Sequence, residues 1–192
     1  MTTTVTFRAQ EDADTGFLRR LFAAVLEPVL GLQAWPERER ELLLRMQYDA
    51  RERDWRERYP PGLLEIIEAG GAPAGRIRLS RPLADGSRRV VDLAIAPEYR
   101  CRGLATAALT RCEGALSLTV ARTNLSAQRL YARLGFTVQG GDDLDFFLYR
   151  PGTGRSCAAG LDAAQDDVLV PASRKVTPSA GEASSAAPLA AR

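Results

Sequence analysis

The sequence predicts an α/β fold of the α+β kind, a mixed sheet flanked by helices, over residues 1–150. Three observations predict it. Apolar residues recur at helical spacing in separate stretches, the period shortens to that of strands after Pro60-Pro61, and turns rich in glycine and proline divide the pieces. The resulting order is β-α-α-β-β-β-α-β-α-β-β.

Thr4–Arg8 reads as a first strand. From Asp12 to Val25, Phe17, Leu18, Leu21, Phe22 and Val25 share one face of an amphipathic helix, which Pro28 and Gly31 are expected to interrupt. Pro36 sits just inside the start of the next helix, Glu37–Arg58. Leu44, Tyr48, Trp55 and Tyr59 form its apolar stripe, beside Leu43, Met46 and Ala50, and its Glu/Arg face reads as a solvated surface of i,i+4 pairs. Leu63–Glu68 and Arg76–Ser80 then form a hairpin around the turn Ala69–Gly75. No helix follows those glycines, so they are not a phosphate loop. Ala84–Arg88 is a turn leading into the strand Arg89–Ala96. A helix (Leu104–Glu113), a strand (Leu116–Val120) and a helix (Asn124–Leu134) follow. Phe136–Val138 and Leu144–Tyr149, around Gly140–Asp143, close the sheet.

At Pro151 the composition turns to Ala, Gly, Ser and Pro, with no aromatic residue to Arg192. Such a stretch buries too little apolar surface to offset its ordering entropy, so 151–192 is expected to be a disordered tail. The whole chain has 192 residues, 26 Lys+Arg against 24 Asp+Glu, and no histidine. A net charge of +2 without a basic cluster speaks against nucleic acid or an anionic membrane as partner. The lack of histidine removes His-based triads and metal sites. Cys101, Cys112 and Cys157 make no CxxC, so no metal and a reducing compartment are expected. With no apolar run near the roughly 20 residues of a membrane span, and no signal-peptide layout at Met1–Val5, a cytoplasmic location is expected.

The chemistry concentrates in Val90–Thr106. A buried strand ends at Pro97, a short loop carries Arg100, Arg102 and Gly103, and a helix begins at once. Unpaired N–H groups at a helix start favour an anion, Gly103 lets a phosphate approach the backbone, and two arginines add charge. The unit suggests a pyrophosphate cradle, the plain alternative being a strand-to-helix turn. Neither Gly-x-x-x-x-Gly-Lys nor Gly-x-Gly-x-x-Gly occurs here.

Arg100-Cys101-Arg102-Gly103-Leu104-Ala105 resembles the Arg/Gln-x-x-Gly-x-Gly/Ala signature of the GNAT superfamily of acyl-CoA N-acyltransferases. Asn124 to Phe136 is similar to that family's Asn-x-x-Ala-x-x-Leu-Tyr-x-x-x-Gly-Phe segment, in the right order and with a strand between. The resemblance implies a mostly antiparallel sheet with splayed parallel strands at 89–96 and 116–120, and acetyl-CoA as co-substrate. It implies that amides from Arg100 to Ala105, through Cys101, Arg102, Gly103 and Leu104, hold the pyrophosphate together with Thr106. Backbone at Leu93 and Ile95 would pair with the pantetheine arm, Asn124 would contact it, and Tyr131 would protonate the leaving thiolate. Read from the residues alone, Asn124 is also a good helix N-cap and Tyr131 a core aromatic beside Ala127, Leu130 and Leu134.

The implied reaction is attack of an amine on the thioester carbonyl, with backbone N–H groups stabilising the tetrahedral intermediate. Keeping a lysine-like amine neutral at pH 7 costs about 4.6 kcal/mol, and an α-amine about 1 kcal/mol. Without histidine the base candidates are Asp92, which alternation puts on the face opposite Leu93 and Ile95, and Glu65, Glu68 or Glu98. The acceptor, a small-molecule or peptide amine, would meet Tyr48, Trp55 and Phe147, residues that equally suit core packing. A homodimer is admitted. Only 21 positions separate Gly103 from Asn124, so the intervening helix falls about two turns short, and exposed apolar surface or reduced stability is expected to follow. The alternatives to an N-acetyltransferase are an acyl-CoA-binding module without turnover and an interaction domain without cofactor.

Overall fold

The computed structural model describes residues 4–59 and 61–152. The tail predicted from Pro151 lies, beyond Gly152, outside the described residues, as does Cys157.

The chain opens with β1 (Val5–Ala9), a single 3-10 turn, α1 (Thr15–Leu30) and, after a second 3-10 turn, α2 (Glu37–Arg58). The long hairpin β2 (Pro61–Ala69) and β3 (Ala72–Ser80) follows, then β4 (Arg88–Ile95), α3 (Leu104–Thr110), β5 (Leu116–Ala121), α4 (Leu125–Arg133), β6 (Thr137–Gly141) and β7 (Asp145–Arg150). The strands form one seven-stranded sheet in the order β1-β2-β3-β4-β5-β7-β6, antiparallel except for the β4–β5 pair. This is the predicted mixed sheet flanked by helices.

Several boundaries differ from the sequence reading. Pro28 does not interrupt α1, which runs to Leu30. Proline removes one helical hydrogen bond near an end where little helix remains, and Gly31, in the left-handed region at φ 64°, supplies the stop. Val25 faces outward, 40% exposed. The hairpin turn contracts to Gly70-Gly71, both at positive φ, which is the backbone a two-residue connection requires. At the other end Gly140 and Gly141 are not a turn. They pair with Phe147 and Phe146 in β6, and the chain reverses at Asp142, whose Oδ1 accepts from the Leu144 and Asp145 amides.

Period-2 alternation sends the two sides of the sheet to different partners. Ile67, Ile77, Leu79 and Val90 bury against Leu104, Ala108 and Leu109 of α3 and Tyr131 of α4 in the main core. Ile66, one residue along, joins Leu18 and Phe22 of α1 and Tyr48 of α2. In α2 the stripe Leu44, Tyr48 and Trp55 is buried as predicted, whereas Met46 is 60% exposed and Ala50 is exposed.

The short α3 leaves no large apolar side chain among those exposed on the described surface, contrary to expectation. Arginines close its end instead. Arg150 donates from Nη1 to Leu109 O at 3.2 Å and from Nη2 to Cys112 O at 2.9 Å, tying the end of α3 and the turn after it to β7. Arg111 lies 4.1 Å from the Phe7 ring centre and pairs with Glu65. Among the described residues no helix is long and apolar enough to cross a membrane.

Candidate active site

The sheet opens between β4 and β5. Their ladder has two rungs, Arg88↔Leu116 and Arg89↔Ser117. β4 then continues with β3 to Ile95, and β5 with β7 to Ala121. From Val90 to Ile95 the edge of β4 that faces β5 therefore has no strand partner. Backbone donors and acceptors on such an edge need water or a ligand, and an extended ligand arm satisfies them as a strand would. Leu93 and Ile95 lie on this stretch, their side chains packed against the main core.

The loop closing the fork carries the predicted cradle. Pro97–Tyr99 form a 3-10 turn, Arg100 Nε donates to Ile95 O at 3.2 Å, and Arg102 stacks 5.4 Å from the Tyr99 ring centre. Both arginine side chains are exposed. Cys101 takes φ 59°, the sole non-glycine at positive φ among the described residues, and Gly103 takes φ 82°. Nothing lies within 4 Å of where a Gly103 Cβ would project. Gly103 thus stands open directly before the first amides of α3, in a loop that carries two exposed arginines. Those features suit a pyrophosphate.

On the α4 side, Asn124 is the N-cap: its Oδ1 accepts from the Ala127 amide at 3.2 Å and from Ser126 Oγ at 3.0 Å. It is exposed, so its amide nitrogen is available. Tyr131 is 9% exposed and meets Phe136 edge-on at 5.5 Å. Its hydroxyl has no hydrogen-bond partner among the described residues. Burial, with a smaller contribution from the Asp92 charge, pushes its pKa up to about 12, so it keeps its proton at neutral pH.

The candidate bases are mostly engaged. Glu65 is held by Arg111, at 2.6 and 3.0 Å, and Glu68 accepts from Arg8 and Thr6. Asp92 Oδ2 accepts from Arg76 Nε and Nη2 at 2.8 and 2.7 Å. Glu98 lies exposed in the 3-10 turn.

Sequence reasoning missed Glu52. The Glu/Arg face of α2 was expected in solvent, yet Glu52 is 7% exposed and bridges two buried arginines, Arg76 at 2.7 Å and Arg78 at 2.6 Å. Trp55 lies under this group, with the guanidinium carbons of Arg51, Arg78 and Arg76 at 4.4, 5.0 and 5.3 Å from its ring centre. The signal was present: Glu52 falls four residues after Tyr48 and three before Trp55, on the stripe itself. Of the residues expected at the acceptor, Tyr48 and Trp55 are buried, and Phe147 is 38% exposed at the open side of the fork.

The family model described as acetyltransferase (GNAT) family matches residues 29–136. Solved structures share the fold. One is the PaiA N-acetyltransferase of Thermoplasma acidophilum in complex with coenzyme A, 19% identical, covering 77% of this chain and 99% of that one at a TM-score of 0.60. Another is YncA of Salmonella typhimurium with its cofactor acetyl-CoA, 19% identical, covering 83% and 99% at 0.51. A third is the spermidine N-acetyltransferase of Vibrio cholerae with CoA and spermine, 20% identical, covering 77% and 95% at 0.52. No curated protein matches the chain.

Proposed function

The chain belongs to the acetyltransferase (GNAT) family, and on that premise we propose that it moves the acetyl group of acetyl-CoA directly to a primary amine of a small molecule or peptide. The observation that carries this reading is the two-rung ladder between β4 and β5, which leaves one unpaired backbone edge leading to the Gly103 loop. The cofactors in the PaiA and YncA structures support the choice of acetyl-CoA.

In this reading the amides of Arg100 to Ala105, with Thr106, hold the pyrophosphate. Backbone at Leu93 and Ile95 pairs with the pantetheine arm and polarises the carbonyl, and Asn124 contacts the arm. The amine nitrogen bonds to the carbonyl carbon, the C–S bond breaks, and the thiolate takes the proton of the Tyr131 hydroxyl. The amine's own proton passes toward Asp92 through water. That carboxylate is already engaged by Arg76, which suits an amine that needs little help to lose its proton.

The test is release of free thiol from acetyl-CoA across a panel of amines. Tyr131→Phe is expected to lower kcat by about 10²–10⁴-fold, the range for a positioned general acid, and to leave KM for acetyl-CoA in place. Unchanged kcat would remove Tyr131 from the chemistry. Binding of acetyl-CoA with no thiol release from any amine would instead favour a binding module.

A further inference from the structure

Arg89 occupies the last rung of the β4–β5 ladder, opposite Ser117, where the sheet begins to part. A register shift in β4 between its pairings Asp92↔Arg78 and Val90↔Leu79 resets the alternation. Val90 joins the core on the α3/α4 side. Arg89 projects to the opposite side, toward α2 and the acceptor half of the fork. Its Nη2 donates to Thr119 Oγ1 at 2.5 Å across the gap, and its guanidinium lies 5.9 Å from the ring centres of both Tyr59, at the end of α2, and Phe147, on β7.

The guanidinium has five donors in a planar fork. A hydroxyl takes one of them, and no carboxylate of the described residues pairs with it. It is half-buried between two aromatic rings, where a charge interaction is screened less than at an open surface. The side chains on the same face add to its field. Arg51, Arg76 and Arg78 are set against Glu52 and Asp92, so the group as a whole, with Arg89, has four guanidiniums for two carboxylates. Arg51 packs on Phe22 and Trp55 without a carboxylate of its own, and the Nε of Arg78, 5% exposed, has no hydrogen-bond partner. The surplus lies with the half-buried Arg51 and Arg89, and it disfavours a cationic ligand and favours an anionic one.

We infer that the acceptor is an amine bearing a carboxylate, which Arg89 grips between Tyr59 and Phe147 where the two strands begin to part. This rests on the acetyltransferase reading above and adds the substrate class. A polyamine, the ligand in the Vibrio cholerae structure, would bring positive charge against this surface.

The experiment compares kcat/KM of the full chain for matched acid and amide pairs, amino acids and dipeptides with a free or amidated C-terminus, together with spermidine. Acetyl-CoA affinity is measured separately by calorimetry. The acids are expected to exceed their amides by about 100-fold, the worth of a charge-assisted bidentate pair, mainly through KM. Arg89→Leu is expected to erase that difference with the affinity for acetyl-CoA unchanged, and Arg89→Lys to restore part of it. Equal rates for acid and amide, preference for spermidine, or no turnover of any acid by protein that binds acetyl-CoA would each overturn the inference and leave the cofactor site standing. Failure to bind acetyl-CoA would overturn the acetyltransferase reading and this inference with it. The comparison of acids and amides in the unaltered protein decides the matter even if Arg89→Leu does not fold.

Discussion

Strands β3 and β4 carry opposite chemistry on their two faces. Toward α3 and α4 they present Ile77, Leu79, Val90 and Leu93, which join one apolar core. Toward α1 and α2 the same strands present Arg76 and Arg78, locked to Glu52, and Asp92, locked to Arg76, with Trp55 under the group. The apolar face is governed by volume, so any well-shaped set of side chains would hold it. The charged face must be matched group by group, because each buried ion forfeits hydration that only a partner restores. It is thus the face that fixes how α2 sits on the sheet, and with it the position of Tyr59 beside the fork.

Breaking the charged face should have the largest effect. Glu52→Ala leaves Arg76 and Arg78 without their shared carboxylate and is expected to cost about 3–5 kcal/mol in chemical denaturation, as for one partner of a buried pair. A loss under about 1 kcal/mol would show that the two arginines find water instead. On the apolar face, Ile77→Ala is expected to cost about 2–5 kcal/mol, and Ile77→Val far less, in proportion to the volume removed. A steep loss for the valine variant would mean that this face too depends on an exact fit.

The alkaline limb of stability sharpens the contrast where the faces meet. Tyr131 in the unfolded chain ionises near pH 10, whereas burial lifts it to about 12 in the folded protein. Its contribution is therefore complete below pH 10 and is lost as the pH rises through 12, on the order of 3 kcal/mol. Tyr131→Phe should flatten that limb, and thermal unfolding across pH 9–12 reads it. The smallest effect is expected at Asn124. Asn124→Ala removes the cap of α4 at about 1 kcal/mol, and Asn124→Ser should recover most of it. If Asn124→Ser restores stability but leaves acetyl-CoA binding weakened, the residue serves cofactor as well as helix.

The same contrast explains what the sequence discloses. The apolar face and the Gly103 loop are written in local signals: alternation from Asp92 to Ile95, a glycine at positive φ, and a helix start directly after it. Asn124 as a cap is legible for the same reason. The charged face is not local. Glu52 stands on the stripe of α2, but its partners are unreadable until β3 brings Arg76 and Arg78 beneath it, and Arg89 looks like a surface arginine until the ladder parts beside it. Pro28 misled because proline's cost in a helix depends on how many residues follow it, and Gly140-Gly141 because paired glycines suit a strand as well as a turn when a bulge bends it.

The central claim is that the fork and the Gly103 loop bind acetyl-CoA, and calorimetric titration of acetyl-CoA into the full chain and its Gly103→Glu variant tests it most directly. Micromolar binding is expected for the unaltered protein and none for a variant that remains folded by circular dichroism, since the carboxylate would fill the space now clear at Gly103 with the wrong charge. No binding by the folded, unaltered protein, or equal binding by both, would contradict it.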